Sequence, residues 1–170
     1  GVYNHVAFES RCVNLIRNEK SKLLFMMLDV DDFKIVNDTL GHNVGDRVLS
    51  QTGQALLETV GENGIVGRVG GDEFIAVVCG IESREAIDDF CEQLSENLKN
   101  IIFDMEYSAS IGMTVTTDRQ ATFKDLYYEA DQAMYYSKRH GKNRVTFFDE
   151  INKKSTSQML MQSQYHERYE

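Results

Sequence analysis

The sequence predicts an α/β (α+β) domain with one central mixed sheet of about five strands flanked by helices, and three observations carry this. An unbroken apolar run, Leu23-Leu24-Phe25-Met26-Met27-Leu28, stops at Asp29, as a central strand buried on both faces does. Two short apolar stretches, residues 65–69 and 74–78, flank Gly70-Gly71. That dipeptide tolerates positive φ and favours a tight hairpin. Around these strands apolar residues recur at helical spacing, so strands and helices alternate along the chain.

The elements follow in order. Phe8, Cys12, Leu15 and Ile16 share one face of a first helix, which precedes the strand at 23–28. Val48, Leu49, Thr52, Ala55, Leu56 and Thr59 mark a second amphipathic helix, and the hairpin comes next. Ile87, Phe90, Cys91, Leu94 and Leu98 give another helix, with Ser83 as its cap. A strand is expected around residues 107–115. Thr122 and Asp125 form a capping box ahead of Phe123, Leu126, Tyr127, Ala130, Met134 and Ser137. This long helix closes near Gly141, and residues 145–148 form the last strand. From Asn152 the chain is rich in Ser, Gln and charge and reads as a linker or extension. The expected organisation is one domain over residues 1–150 and a C-terminal extension over 151–170, with no internal repeat and no proline.

Composition narrows the function. A chain of 170 residues, 42% of them hydrophobic, can bury one sizeable core. Its net charge of −9 argues against non-specific binding to nucleic acid or to an anionic membrane, since both need a basic face. A phosphate substrate would need a metal ion or a local basic cluster. Cys12, Cys79 and Cys91 are odd in number and lack metal-ligand spacing, which suits core residues in a reducing cytoplasm. No apolar run approaches the roughly 18 residues of a membrane span, and no signal-peptide pattern opens the chain. The start at Gly1, running straight into structured pattern, leads us to expect a piece of a longer chain with a sensor upstream.

Two acidic clusters carry the chemistry. Asp29-Val30-Asp31-Asp32-Phe33-Lys34 lies where a buried strand ends, the place where open α/β sheets present ligand-binding groups. If the strand continues, Asp29 and Asp31 point away from Val30, so the three acids cannot share one ion. By itself the cluster fits a solvated turn with a helix-capping Asp equally well. Asp72 and Glu73 follow the glycine turn. Alternation lets one of them face the first cluster and not the other. Alone, they fit an ordinary hairpin with exposed acids. Two acidic turns at one sheet edge would suit Mg²⁺, which takes carboxylate and phosphate oxygens.

Gly70-Gly71-Asp72-Glu73-Phe74 resembles the signature of the GGDEF diguanylate cyclases. Gly1-Val2-Tyr3-Asn4 is similar to the family's opening Gly-Leu-x-Asn, and the stretch from Asp29 to Leu49 follows its Asp-x-Asp-x-Phe-Lys and Asn-Asp-x-x-Gly-His-x-x-Gly-Asp pattern. Lys138 to Val145 resembles its closing Lys-x-x-Gly-(Lys/Arg)-Asn-Arg-Val. The likeness covers about residues 1–148, and several spaced motifs in order are far more specific than the five-residue signature. It implies a fold like the palm of polymerases and nucleotidyl cyclases. The implied activity is condensation of two GTP into cyclic di-GMP, releasing two pyrophosphates, in a cytoplasmic homodimer.

The resemblance also implies residue roles. Asp29, the carbonyl of Val30 and Asp72 would hold Mg²⁺, two ions per site, with Mn²⁺ an alternative. Asp72 would accept the proton, while Glu73 would assist the second ion or hold the hairpin. Lys34 would neutralise phosphate charge, and N–H groups near Asp32 and Phe33 would cradle phosphates at a helix start. Its alternative is a surface lysine. Asn37, His42 and Asp46 would read guanine and ribose, Asp46 accepting from the N1–H and N2–H₂ edge. Capping by Asn37 and Asp46 and a loop position for His42 are the alternatives. On one unbroken helix Asn37 and Asp46 would sit about 180° apart, so the chain must break near Leu40-Gly41. Lys138 and Lys142 would contact phosphates, although cations suit a helix C-terminus for dipole reasons alone.

An aspartate of pKa about 3.9 is a feeble base for a sugar hydroxyl, so metal electrostatics should dominate and Asp72 should serve mainly as a ligand. Two other readings stay open: a silent module that binds GTP or cyclic di-GMP, and a scaffold with a vestigial metal site. Many relatives carry an Arg-x-x-Asp motif five residues before the signature, where product binds and inhibits. Gly61-Glu62-Asn63-Gly64 stands there in this chain, so no feedback through that site is expected. Arg68 lies too close to the hairpin to replace the arginine.

Overall fold

In the computed structural model, which describes residues 1–101 and 104–151, the apolar run is strand β2 (Leu23–Val30), buried along its whole length. It can be so because it is central. Strand β4 (Glu73–Cys79) pairs antiparallel with it on one side and β5 (Ala109–Thr116) on the other. Side chains alternate along β2, and the two faces feed two cores. Leu24, Met26 and Leu28 pack beneath helices α3 (His42–Val60) and α4 (Arg84–Lys99). Phe25 and Met27 pack beneath α1 (His5–Asn18) and α5 (Phe123–Arg139).

The sheet has six strands in the order β1-β3-β4-β2-β5-β6. β3 (Gly64–Arg68) forms the hairpin with β4. β1 (Tyr3–Asn4) runs parallel to β3, and β6 (Arg144–Phe147) parallel to β5, so the sheet is mixed as expected. The strand beyond the expected number is β1. Two residues carry no periodicity from which to read a strand. The sequence-based expectation for the segment from Asn152 lies outside the described residues.

Caps behave as the sequence suggests. Ser83 accepts from the Ala86 N–H at 3.1 Å, and Thr122 and Asp125 close the reciprocal box at the start of α5. Helix α2 (Phe33–Leu40) stops at Gly41, whose φ of +86° separates it from α3. A glycine of another kind holds α5 to the sheet. A Cβ at Gly112 in β5 would overlap the Ala130 carbonyl and the Met134 N–H, so helix and strand meet backbone to backbone. Ser137 Oγ reinforces this contact, 2.8 Å from the Ile111 carbonyl and 2.7 Å from Thr146 Oγ1.

Candidate active site

Three strand ends meet at one edge of the sheet. Asp29, near the end of β2, lies opposite Glu73 of β4 and Ser110 of β5. The Val30 N–H donates to the Asp72 carbonyl at 3.1 Å, which ties the acidic end of β2 to the hairpin. The hairpin itself is braced. Arg68 donates to the Gly70 and Gly71 carbonyls, the shortest contact being Nη2 to Gly71 O at 2.6 Å. Glu73 folds back over Gly70, where an added Cβ would lie 2.9 Å from its Oε2.

Asp29 is only 6% exposed. Burial pushes its carboxyl up to about 6, because ionisation is disfavoured away from water. Lys138 opposes that push, with Nζ 2.7 Å from Oδ2. The nearby charges of Asp72 and Glu73 add to it. Such a crowd of acids at a strand end suits a hard cation. Among the described residues no three His, Cys, Asp or Glu side chains converge into a cage. A cation here would therefore take few protein oxygens and fill its shell with substrate and water, as Mg²⁺ does. Asp29, Asp72 and the Val30 carbonyl, the set that the resemblance implies, would make such a sparse shell.

Two further groups assemble nearby. Asp32 adopts φ +54° ahead of α2 and makes no capping bond. Its carboxylate instead receives Lys142 Nζ at 2.7 and 2.9 Å. Phe33 is half-buried and Lys34 exposed in the first turn of α2, where Lys34 pairs with no acid among the described residues. Asn37 of α2 and Gly45 of α3 interlock, since a Cβ at Gly45 would overlap Asn37 Oδ1. Asp46, the next residue, lines a cleft of about 460 Å³ with Val2, Leu49, Gly53, Arg68 and Phe74. His42 begins α3, four residues before Asp46 and on the same helix face.

Three structural roles escaped the sequence reading. Arg68 braces the turn, Gly45 makes room for Asn37, and Asp31 is a buried hub. Asp31 accepts from Ser108 Oγ at 2.6 Å, Ser110 Oγ at 2.7 Å and the Asn143 N–H at 3.0 Å. Its partners lie 77, 79 and 112 residues away, beyond the reach of local pattern.

Residues 1–144 match the family described as "Diguanylate cyclase, GGDEF domain". The chain belongs to the GGDEF diguanylate cyclase family. This GGDEF domain is 35% identical over 147 residues to the diguanylate cyclase DgcN of Escherichia coli K12, covering 81% of the chain and 35% of DgcN. It is 30% identical over 152 residues to the probable diguanylate cyclase DgcT of the same organism, covering 85% of the chain and 33% of DgcT. The chain thus spans about a third of the length of these relatives. Among solved structures, the GGDEF domain of PA1120 from Pseudomonas aeruginosa superposes with a TM-score of 0.76 at 25% identity, covering 86% of this chain and 96% of that one. The palm-like cyclase fold is therefore shared. No helix among the described residues is long and apolar enough to cross a membrane.

Proposed function

We propose that this GGDEF domain condenses two GTP molecules into cyclic di-GMP, with Asp29, the Val30 carbonyl and Asp72 forming the metal-binding edge. The observation that carries the reading is the juxtaposition of Asp29 with the Asp72-Glu73 hairpin on paired central strands. The named diguanylate cyclases among its relatives support the same chemistry.

In each of two rounds the 3′-oxygen of one GTP attacks the α-phosphorus of the other. The O3′–Pα bond forms, the bond from Pα to the bridging oxygen breaks, and pyrophosphate leaves. Asp29, the Val30 carbonyl and Asp72 would hold two Mg²⁺ or Mn²⁺ ions, which would supply Lewis acidity at the phosphate and make the attacking hydroxyl more acidic. Asp72 takes the hydroxyl proton, aided by its position in a hairpin that Arg68 holds rigid. Glu73 assists the second ion or keeps the turn folded, its carbonyl accepting from the Val69 N–H at 3.0 Å. Lys34, Lys138 and Lys142 offset triphosphate charge, and the N–H groups around Asp32 and Phe33 cradle it at the start of α2. Asn37 and Asp46 bind the guanine edge, with His42 beside them toward the ribose.

Each domain holds one GTP, so the working species is a head-to-head homodimer in the cytoplasm, governed by a sensor elsewhere in a longer chain. Incubation with GTP and Mg²⁺ followed by nucleotide chromatography tests this. Cyclic di-GMP should form with the intact chain and not with Asp72→Ala, whose circular dichroism should match the parent. Turnover by a folded Asp72→Ala variant, or none by the parent at any protein concentration, sinks the reading.

A further inference from the structure

The turn joining α5 to β6 holds an unusual backbone. Gly141, Lys142 and Asn143 carry φ values of +108°, +58° and +44°. Glycine adopts such values freely, whereas two successive side-chain-bearing residues there are disfavoured and persist only when their surroundings fix them. One fixing contact is local, the Lys142 N–H donating to the Ser137 carbonyl at 3.0 Å. Another comes from across the fold. The Asn143 N–H donates to Asp31 Oδ2 at 3.0 Å. Asp31 is itself held by Ser108 and Ser110, and is only 7% exposed.

Asp31 thus fastens the turn to the end of β2, two residues beyond Asp29. Lys142 lies between these two backbone fastenings, which set where its side chain starts, while Asp32 holds its far end, with Nζ 2.7 and 2.9 Å from the two carboxylate oxygens, a partner that a phosphate would have to displace. We propose that Asp31 is a positioning residue, which holds the strained Lys142-Asn143 turn so that the Lys142 ammonium stands ready over the nucleotide phosphates. The proposal rests on the phosphate-binding role given to Lys142 above. Asp31 commits three of a carboxylate's roughly four acceptor positions to protein donors, so its main work is as a tie within the fold.

The test has two arms on the intact chain. In the first, hydrogen exchange of the Asn143 amide is followed without nucleotide. Asp31→Ala should speed it by about tenfold or more, as local opening becomes easier. An unchanged rate overturns the clamp whether or not the protein binds GTP. The second arm is a double-mutant cycle of Asp31→Ala and Lys142→Ala, read as the Kd of a non-hydrolysable GTP analogue with Mg²⁺. Alone, Asp31→Ala should weaken binding by about tenfold, but in the Lys142→Ala background by less than about twofold. Additive losses would mean that Asp31 merely stabilises the fold, and the proposal fails. Asp31→Asn covers the case in which the alanine variant misfolds. Its amide oxygen can still accept from Asn143 and Ser108 while its NH₂ donates to Ser110 Oγ. It should bind within about twofold of the parent, on the same scale as the cycle. Loss as deep as that of alanine overturns the proposal, because it would mark a need for the charge itself. If the parent binds no GTP analogue at all, the functional reading falls while the exchange arm still decides the clamp.

Discussion

Lys138 Nζ stands 2.7 Å from Asp29 Oδ2, a cation at the last turn of α5 against a carboxylate buried at the end of β2. Removing only the lysine leaves that carboxylate without its charged partner. Lys138→Met should lower the unfolding free energy by about 1–3 kcal/mol in metal-free buffer, since an orphaned buried acceptor loses its compensation. Adding Asp29→Asn to the same variant should recover most of the loss. Urea titrations of the two variants decide the matter, and a double variant less stable than Lys138→Met would show that the pair is not coupled.

The interlock of Asn37 with Gly45 gives a second expectation. Ala at position 45 is the better helix former by about 1 kcal/mol, and the atom it displaces is the end of a side chain. Gly45→Ala should therefore keep its thermal midpoint close to the parent's while binding GTP about tenfold more weakly, the scale of one displaced hydrogen-bonding group.

Guanine selectivity follows from Asp46. A site that hydrogen-bonds the N1–H and N2–H₂ edge rejects analogues lacking it by roughly 10⁴-fold. Initial rates with GTP and ATP should differ on that scale, and Asp46→Ala should shrink the ratio chiefly by slowing GTP. Equal rates in the parent would remove Asp46 from the guanine site.

Product should not inhibit through residues 61–64, and the backbone explains why restoring side chains would not help. Gly61 holds φ +59° and ψ −145°, a region reserved for glycine. A Cβ at Gly64 would overlap the Val77 carbonyl. Cyclic di-GMP titrated against the initial rate should leave it unchanged in the parent. The double variant Gly61→Arg/Gly64→Asp should lose stability without gaining product affinity by calorimetry. Tight product binding by either protein would contradict this.

Asp125 gives a pH dependence of known sign. Hydrogen bonds from the Thr122 hydroxyl and then the Thr122 N–H hold its carboxyl below the usual value. A depressed folded value means the box stabilises above about pH 4, the unfolded value, and its contribution vanishes as pH falls through the lower folded one. Asp125→Ala should melt below the parent at pH 7, with the gap closing as the pH falls below the unfolded value and the parent's carboxyl protonates. A gap independent of pH would place the effect in the helix rather than the charge.

Much of this was legible in the chain before folding. The run ending in Asp29 declares a central strand because only burial on both faces tolerates unbroken apolar character. The break at Gly41 follows from helix phase once the family resemblance asks Asn37 and Asp46 to face one ligand. What stayed hidden depends on contacts between distant segments. Tyr3 and Asn4 become a strand only through the register of β3. Asp31 reads as one acid among several until Ser108, Ser110 and Asn143 surround it. Gly45 looks like any helix glycine until Asn37 fills the space beside it.

The missing side chain at Gly112 has a consequence for how this domain ages in sequence. Because α5 rests on the main chain of β5, the height of Lys138 above Asp29 is set by peptide groups, which every substitution leaves in place. Core side chains can trade volume as lineages diverge, and the gap between lysine and aspartate keeps its gauge. A replacement at residue 112 would act as a shim, lifting the helix and the lysine with it.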